Sequence, residues 1–179
     1  MDIPEDSRII SAVLKGEVDA FGQLVRKYQK PIYNLMYRTT GSEDFALEMA
    51  QETFTRAYEK LEQFDPGRSF FSWLYAIGSN LSKDYLRKAG RELLFCDREI
   101  DESSLVDSSL NQTAHLERKL EMSHIMEVMQ KLPFDFREAL ILRYLKDLPM
   151  RDIAQALSIS TGAAKMRINR ALKALRAML

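Results

Sequence analysis

Apolar residues recur three and four positions apart along most of this chain of 179 residues, a spacing typical of amphipathic helices. In the first half, the pattern predicts four helices, at residues 7–15, 19–37, 42–61 and 69–88. We expect Pro31 to kink or divide the second helix, and Asp65-Pro66-Gly67 to separate the last two. Strand-like alternation and Asn-Gly or Asp-Gly turns are missing from the sequence, so the predicted fold class is all-α.

Two further helices are predicted close together near the end of the chain. The first has one apolar face with Ile153, Ala154 and Leu157, and the second has a longer one with Ala164, Ile168, Ala171, Leu172 and Leu175. The residues between them leave room only for a tight corner, with Ser160 or Thr161 as the N-cap of the second helix. The pair is therefore predicted to form a helix-turn-helix.

The polar face of the last helix is basic. It carries Lys165, Arg167, Asn169, Arg170, Lys173 and Arg176, side chains that can reach both phosphates and base edges in a major groove. Residues 146–179 contain seven basic and two acidic residues, a net charge of +5, whereas the whole chain is formally neutral. This local excess predicts a DNA recognition helix, with a membrane surface, a protein partner or plain solvent as the alternatives.

Residues 97–112 separate the two groups of helices. They are rich in serine, carry a net charge of −4 and lack a periodic apolar face, which is typical of a linker. We therefore predict two small helical domains, residues 1–96 and 118–179, joined by a flexible acidic linker at 97–117. A surface loop within one domain is the alternative interpretation of this segment.

Composition excludes several other classes of protein. No apolar run approaches the roughly 20 residues needed to span a bilayer, and the first residues lack the features of a signal peptide, so we expect a cytoplasmic protein without membrane insertion. Cys96 is the single cysteine and cannot form an internal disulfide. Glu121 and His124 have the spacing of metal ligands on a helix, but no second such pair occurs, so we expect no metal or other cofactor.

Two of the first-half helices have distinctive faces. Residues 43–62 carry six acidic and two basic residues beside a packing face that includes Phe54, Tyr58 and Leu61, so the acidic face can meet a basic partner or remain solvated. The following helix is rich in aromatic residues and ends in basic ones, a combination that suits single-stranded DNA. On this helix we expect Trp73, Leu74, Ile77 and Leu81 to pack in the core, and Arg68, Ser69, Asn80, Lys83 and Arg87 to be exposed.

In these helices and in the last ones, the chain resembles the extracytoplasmic-function sigma factors, the small two-domain class of bacterial transcription initiation subunits. In the first domain the resemblance rests on Asp19-Ala-Phe21, Ala50-Gln-Glu-Thr-Phe54, Arg56-Ala-Tyr58, Phe71-Ser-Trp-Leu-Tyr75, Asn80 and Asp84-Tyr-Leu-Arg87. In the second it rests on Leu132-Pro133, Arg137-Glu-Ala-Leu-Ile-Leu-Arg-Tyr144, Asp152-Ile-Ala154, Lys165-Met-Arg167 and Arg170-Ala-Leu172. The motifs occur in order over nearly the whole chain.

The resemblance implies three binding surfaces and no catalysis by the chain itself. The first domain would bind the clamp helices of core RNA polymerase through Glu48, Gln51 and Glu52. It would hold the melted upstream promoter element with the loop 65–69, beside Phe64 and Phe70, and with nearby polar side chains; this set is Asp65, Arg68, Ser69, Asn80, Lys83 and Arg87. The second domain would bind the polymerase flap and recognise duplex promoter DNA with Lys165, Met166, Arg167, Asn169 and Arg170. An anti-sigma factor is a further implied partner.

Two departures from the family pattern bear on these expectations. The first helix of the helix-turn-helix follows Leu148-Pro149 rather than Ser or Thr, so Pro149 must start it in place of a side-chain cap. Met166 stands where a small hydroxyl residue is common, which would exchange a polar base contact for an apolar one, such as a contact with a thymine methyl. A helix-turn-helix regulator that acts without polymerase is the alternative function, and a helical enzyme is a more distant one.

Overall fold

The computed structural model of the chain describes residues 3–88 and 124–179, and within these ranges every regular element is helical. The all-α prediction is therefore confirmed. The first domain contains α1 (Ile3–Leu14), α2 (Phe21–Thr40), α3 (Glu43–Glu59) and α4 (Phe70–Lys88), with short 3-10 turns at Val18–Ala20 and Leu61–Gln63. The predicted linker at 97–117 and Cys96 lie outside the described residues, so the domain boundaries remain predictions.

The junction between α2 and α3 follows the local sequence signals. Gly41 ends α2 with a left-handed φ of 74°, and its N–H donates to the Tyr37 carbonyl at 2.7 Å. Ser42 then caps α3, because its hydroxyl accepts a hydrogen bond from the Phe45 N–H at 3.4 Å. Of the two outcomes expected at Pro31, division of the helix was wrong, since α2 continues through this residue. The buried residues on both sides, Tyr28 and Ile32, pack in the core and offset the cost of a proline inside a helix.

The helices of the first domain cross closely at Gly78 of α4. A Cβ built on this glycine would lie 2.6 Å from Met36 Cε of α2 and 2.6 Å from Thr53 Oγ1 of α3. Only a hydrogen atom fits at this position, so the glycine sets how near α4 lies to both neighbours. Along α4, Leu74 is fully buried, whereas Trp73, Ile77 and Leu81 are half-buried and pack against the core.

The second domain is described from a helix that includes residues 124–130, here called α5. It continues with α6 (Phe134–Leu140), a π-helical segment (Ile141–Leu145), α7 (Met150–Ala156) and α8 (Thr161–Arg176). Helix α7 begins directly after Pro149, without a side-chain cap, as expected. Ser160 is the N-cap of α8, with its hydroxyl 3.1 Å from the Ala163 nitrogen. The predicted packing faces are confirmed, because Ile153, Ala154, Leu157, Ala164, Ile168 and Ala171 are buried.

The two domains contact each other directly. Helix α7 packs against α4, and α6 packs against α2. Buried residues of both domains form one continuous apolar cluster, with Leu74 and Tyr75 on one side and Ile141 and Ile153 on the other. The predicted flexible linker implied two independent domains, so the sequence did not predict this contact between them. The contact determines which of the expected site residues are accessible.

Candidate nucleic-acid and polymerase interfaces

The outer face of α8 presents four of the five residues expected to contact duplex DNA. Lys165, Asn169 and Arg170 are exposed, and the Met166 side chain is exposed to 57%. The opposite face of α8 holds Ala164, Ile168 and Ala171 against α6 and α7, which fixes the direction of the exposed face. This side of the helix can enter a major groove with two cations, an amide and an apolar side chain directed outward.

Arg167 has a different environment from its neighbours on α8. Its guanidinium points back toward α6, with Nη2 3.7 Å from Asp135 Oδ2 and Nη1 3.8 Å from Glu138 Oε1. Nη1 is buried and makes no hydrogen bond with any residue in the part of the chain that the structure describes. Of the five expected recognition residues, Arg167 is therefore the one that the structure directs away from the exposed face.

The loop 65–69 is ordered by its own polar groups. Asp65 Oδ1 accepts a hydrogen bond from the Gly67 N–H at 2.9 Å, and Asp65 Oδ2 pairs with Arg68 Nε at 3.1 Å. Behind the loop, the rings of Phe64, Phe70 and Trp73 pack on one another with centroids 5.3–5.6 Å apart. Phe64 and Phe70 are buried, so they support the loop from the inside.

Two of the residues expected to be exposed beside this loop are not. Ser69 is only 7% exposed, because its hydroxyl accepts from the Ser72 N–H at the start of α4 and its carbonyl accepts from Gln155 Nε2 of α7 at 3.2 Å. Lys83 is half-buried against α6. The expectation of exposure was wrong for both, whereas Asp65, Arg68, Asn80 and Arg87 are exposed as expected.

The outer face of α3 carries the residues expected to meet polymerase. Glu48 and Gln51 are exposed, and the half-buried Glu52 pairs with Arg56 at 2.7 Å. The same face exposes Leu47 to 53% and Tyr58 to 42%, and the Tyr58 ring also packs edge-on against Phe21, with centroids 5.2 Å apart, as its place on the packing face predicted. The sequence interpretation missed Leu47, although its spacing from Gln51 and Tyr58, four and eleven positions, places the three on one stripe of a helix. The face is therefore amphipathic, with apolar side chains among the acidic ones.

Arg137 and Glu138 of α6 make buried polar contacts between the domains. Arg137 Nη1 donates to the Thr39 carbonyl of α2, and Glu138 accepts from Ser79 Oγ at 2.7 Å and Lys83 Nζ at 2.8 Å, both on α4. Burial lowers the pKa of Arg137 to about 10, so it is still cationic at neutral pH. Burial also raises the pKa of Glu138, against the opposing influence of Lys83. In the sequence these two residues stood out only as part of a family motif.

Some other sequence expectations concern ligands and membranes. Within residues 3–88 and 124–179, no three His, Cys, Asp or Glu side chains are grouped as a metal site would need. Glu121, the proposed partner of His124, lies outside the described residues. Among the helices that the structure describes, none combines the length and apolar character required to cross a membrane.

Comparison with known protein families divides the chain into the same two parts. Residues 24–92 match the model of Sigma-70 region 2, and residues 124–175 match the model of Sigma-70, region 4. The first match contains the polymerase and melted-strand candidates, and the second contains α6, α7 and all but the last residue of α8.

Whole-chain relatives agree with these matches. The chain is 37% identical to the ECF RNA polymerase sigma factor SigW of Bacillus subtilis, with 95% of this chain and 94% of the relative covered. It is 33% identical to the RNA polymerase sigma-H factor of Pseudomonas aeruginosa, with 96% and 92% covered.

Solved structures support the fold. The structure of CnrH in complex with the cytosolic domain of CnrY aligns with a TM-score of 0.69 at 25% identity, covering 99% of this chain and 97% of that one. The sigma factor RpoE from Bartonella quintana, in complex with the anti-sigma factor NepR, aligns with a TM-score of 0.68 at 23% identity, covering 89% and 96%.

Proposed function

Because the chain belongs to the extracytoplasmic-function sigma factors of the sigma-70 family, we propose that three of its surfaces divide the work of promoter-specific initiation. A sigma factor of this class binds core RNA polymerase and directs it to promoters. We assign core binding to the outer face of α3, capture of the melted upstream element to the loop 65–69 with the exposed side of α4, and duplex recognition to α8.

The assignment of α8 rests on its exposed polar face. Lys165 and Arg170 can neutralise phosphates or donate to guanine, and Asn169 has the paired donor and acceptor that suit adenine. Met166 between them offers an apolar contact of the kind that a thymine methyl accepts. Phosphate contacts position the helix, and base contacts supply the preference for one promoter over another.

The melted-strand assignment rests on the self-supported loop and on the exposed polar side chains of α4 beyond it. Taking a base out of the stack costs a few kcal/mol, which the protein must recover by holding the base. The ordered loop around Asp65 and Arg68 supplies a fixed polar rim for such a base, and Asn80 and Arg87 follow along exposed positions of α4. The chain thus contributes differential binding, while polymerase performs the phosphoryl transfer. We therefore infer that this chain is not itself an enzyme and acts in the cytoplasm.

The amphipathic face of α3 suits a basic protein partner. Acidic side chains such as Glu48 attract it at a distance, and Leu47 and Tyr58 provide apolar area to bury at contact. We propose that this partner is the clamp of core polymerase and that the second domain binds the flap. The complex of the Bartonella quintana sigma factor with an anti-sigma factor supports an inhibitor of that kind as a further partner of this chain.

Two pairs of variants separate the surfaces. Glu48→Lys reverses a charge on α3 and should weaken binding to core polymerase, whereas Glu17→Lys makes the same change at an exposed position outside α3 and should not. Arg170→Ala should leave core binding intact but weaken promoter binding by the holoenzyme, by about 1–3 kcal/mol if it contacts a base. Its control is Arg8→Ala, on the exposed side of α1.

The measurements are titrations of labelled chain with core polymerase and of holoenzyme with promoter DNA. Loss of core binding in both glutamate variants, or in neither, would contradict the assignment of α3. Tight duplex binding by the chain alone, with no dependence on polymerase, would favour the helix-turn-helix regulator instead.

A further inference from the structure

Helix α1 is joined to α2 by a buried carboxylate that belongs to none of the three assigned surfaces. This residue, Asp6, is only 4% exposed. Its Oδ2 accepts a hydrogen bond from the Tyr28 hydroxyl, and its Oδ1 pairs with Lys27 Nζ at 2.7 Å. Lys27 also pairs with the exposed Glu5 at 3.0 Å. A carboxylate is tolerated inside a protein when its charge is paired and its oxygens accept hydrogen bonds, and Lys27 and Tyr28 meet both requirements.

Tyr28 continues the connection toward the loop 65–69. Its ring is buried, and its centroid lies 5.6 Å from that of Phe70, the first residue of α4. Phe70 in turn contacts Phe64 and Trp73, the two other rings behind the loop. We call Phe64, Phe70 and Trp73 the aromatic support. A continuous line of contacts thus runs from α1, through Tyr28, to the residues that support the loop.

Helix α1 also contacts the loop directly. The hydroxyl of Ser7, the residue after Asp6, donates to the Pro66 carbonyl at 3.5 Å. In addition, α1 packs on the 3-10 turn Leu61–Gln63, which leads into the loop. Helix α1 therefore reaches the loop by two routes, one through Ser7 and one through Tyr28.

Apolar residues attach α1 to the core independently of the polar contacts. Ile9, Ile10 and Val13 are buried in the apolar cluster. An ion pair that is largely removed from water adds little net stability, because the loss of hydration offsets most of the attraction between the charges. Hydrogen bonds are directional, however, so the bond between Asp6 and Tyr28 holds the phenol, and with it the ring, in one orientation. The polar contacts therefore contribute more to position than to stability.

We propose that Asp6 is a positioning residue for capture of the melted promoter strand: it fixes Tyr28, which holds the aromatic support and thereby the polar rim of the loop at Asp65 and Arg68. The proposal rests on the function that we assign to this loop, whereas the line of contacts rests on the structure alone. The hydrogen bonds within the loop set its shape, and the aromatic support sets where that shape lies relative to α4. A binding site needs its groups held within about 0.5 Å of the productive geometry by side chains packed behind them.

Two substitutions break the line of contacts at different points. Asp6→Ala removes the acceptor, and Tyr28→Phe removes the hydroxyl while it keeps the buried ring. Glu5→Ala is the matched control, because Glu5 is exposed, lies beside Asp6 and pairs with the same Lys27. Circular dichroism of each full-length variant verifies that it is folded, and Tyr28→Phe provides the test if Asp6→Ala does not fold.

Trp73 is a natural reporter of the aromatic support, since it is the only tryptophan in the chain. Its emission maximum and its quenching by acrylamide depend on how its ring packs. We expect Asp6→Ala and Tyr28→Phe to shift the maximum and increase the quenching, and Glu5→Ala to leave both at the wild-type values. If folded Asp6→Ala and Tyr28→Phe both keep the wild-type emission and quenching, Asp6 does not position the aromatic support and the proposal is wrong.

Base discrimination by the polymerase holoenzyme tests the consequence for DNA. The probes are labelled single-stranded oligonucleotides with the upstream element of a promoter that the holoenzyme transcribes, and copies with one base of that element replaced. The ratio of the two affinities is unaffected when a variant only lowers the fraction of active protein, so it separates positioning from stability. We expect Asp6→Ala and Tyr28→Phe to lower this ratio by about two- to tenfold, the value of one hydrogen bond to a base, and Glu5→Ala to preserve it.

Two further variants distinguish failure of this proposal from failure of the loop assignment. If Asp6 acts through Tyr28, Asp6→Ala should lower the ratio no further in a chain that already carries Tyr28→Phe, and independent losses that multiply would contradict this route. Arg68→Ala changes the rim itself. Loss of discrimination in Arg68→Ala but not in Asp6→Ala would refute the positioning role alone. An unchanged ratio in Arg68→Ala would refute the assignment of the loop to the melted strand, and the proposal with it.

Discussion

The close crossing of three helices at Gly78 leads to a sharp prediction about Gly78→Ala. The added methyl group would lie 2.6 Å from both Met36 Cε and Thr53 Oγ1, well inside van der Waals contact. Neither neighbour is free to move, because Met36 Sδ accepts a hydrogen bond from Ser82 and the Thr53 hydroxyl donates to the Met49 carbonyl. The helices must therefore separate slightly, or these two side chains must lose their contacts.

Two opposing effects set the size of the change. Overpacking a core by one methyl group costs about 1–3 kcal/mol. Alanine is the better helix former by up to about 1 kcal/mol, which offsets part of this cost. We expect a net loss of about 1–2 kcal/mol in the free energy of unfolding, which lowers the urea midpoint by about 0.5–1 M.

The matched control is Gly162→Ala in α8, where a Cβ would meet no atom within 4 Å. There the same substitution should raise stability by about 0.4–1 kcal/mol, because only the helix preference remains. Urea unfolding is followed by circular dichroism for both domains and by fluorescence of Trp73, the only tryptophan, for the first. If Gly78→Ala is as stable as the wild type or more stable, while Gly162→Ala behaves as expected, then the crossing at Gly78 has room for a methyl group and the predicted steric conflict is wrong.

Three further changes have defined outcomes. Ser160→Ala removes the cap of α8 and should cost the second domain about 1 kcal/mol; an unchanged urea midpoint would show that the cap contributes nothing. Burial raises the pKa of Glu138, in a site that it shares with Lys83, Asp135 and Arg167, so its carboxyl group binds a proton more tightly in the folded chain than in the unfolded one. The contribution of Glu138 to the free energy of unfolding should therefore increase as the pH falls through the raised pKa toward the ordinary value of 4.5, and urea unfolding of Glu138→Gln should lack this dependence. Met166→Ser should change the preferred base at one promoter position, as measured by selection from randomised promoters, and an identical selected sequence would exclude a base contact by Met166.

Local signals in the sequence predicted the helices and their packing faces well. The apolar spacing of α8 requires only that one stripe be buried, and Ala164, Ile168 and Ala171 are buried accordingly. Gly41 and Ser42 fixed the junction of α2 and α3 by backbone conformation and capping, which depend on neighbours in the chain. Pro31 does not divide α2, because the burial of Tyr28 and Ile32 around it outweighs the local preference of proline.

The accessibility of the site residues could not be derived in the same way. Ser69 is covered by Gln155, 86 positions away, and Lys83 is held by Glu138, 55 positions away. Neither pairing produces a repeating pattern in the sequence, because each joins single residues on separate helices. The sequence pattern predicted the helix on which each residue lies, but only the packing of the two domains determines that Ser69 is buried and Lys83 half-buried.

The most direct test of the account is transcription with purified components. The chain is mixed with bacterial core RNA polymerase on a genomic promoter library, and the start sites of the transcripts are mapped beside a reaction with core polymerase alone. If the chain directs initiation, the transcripts will have new, discrete start sites that share two spaced upstream sequence elements. If the start sites match those of core polymerase alone while the chain is folded, the chain does not direct initiation and the account is contradicted.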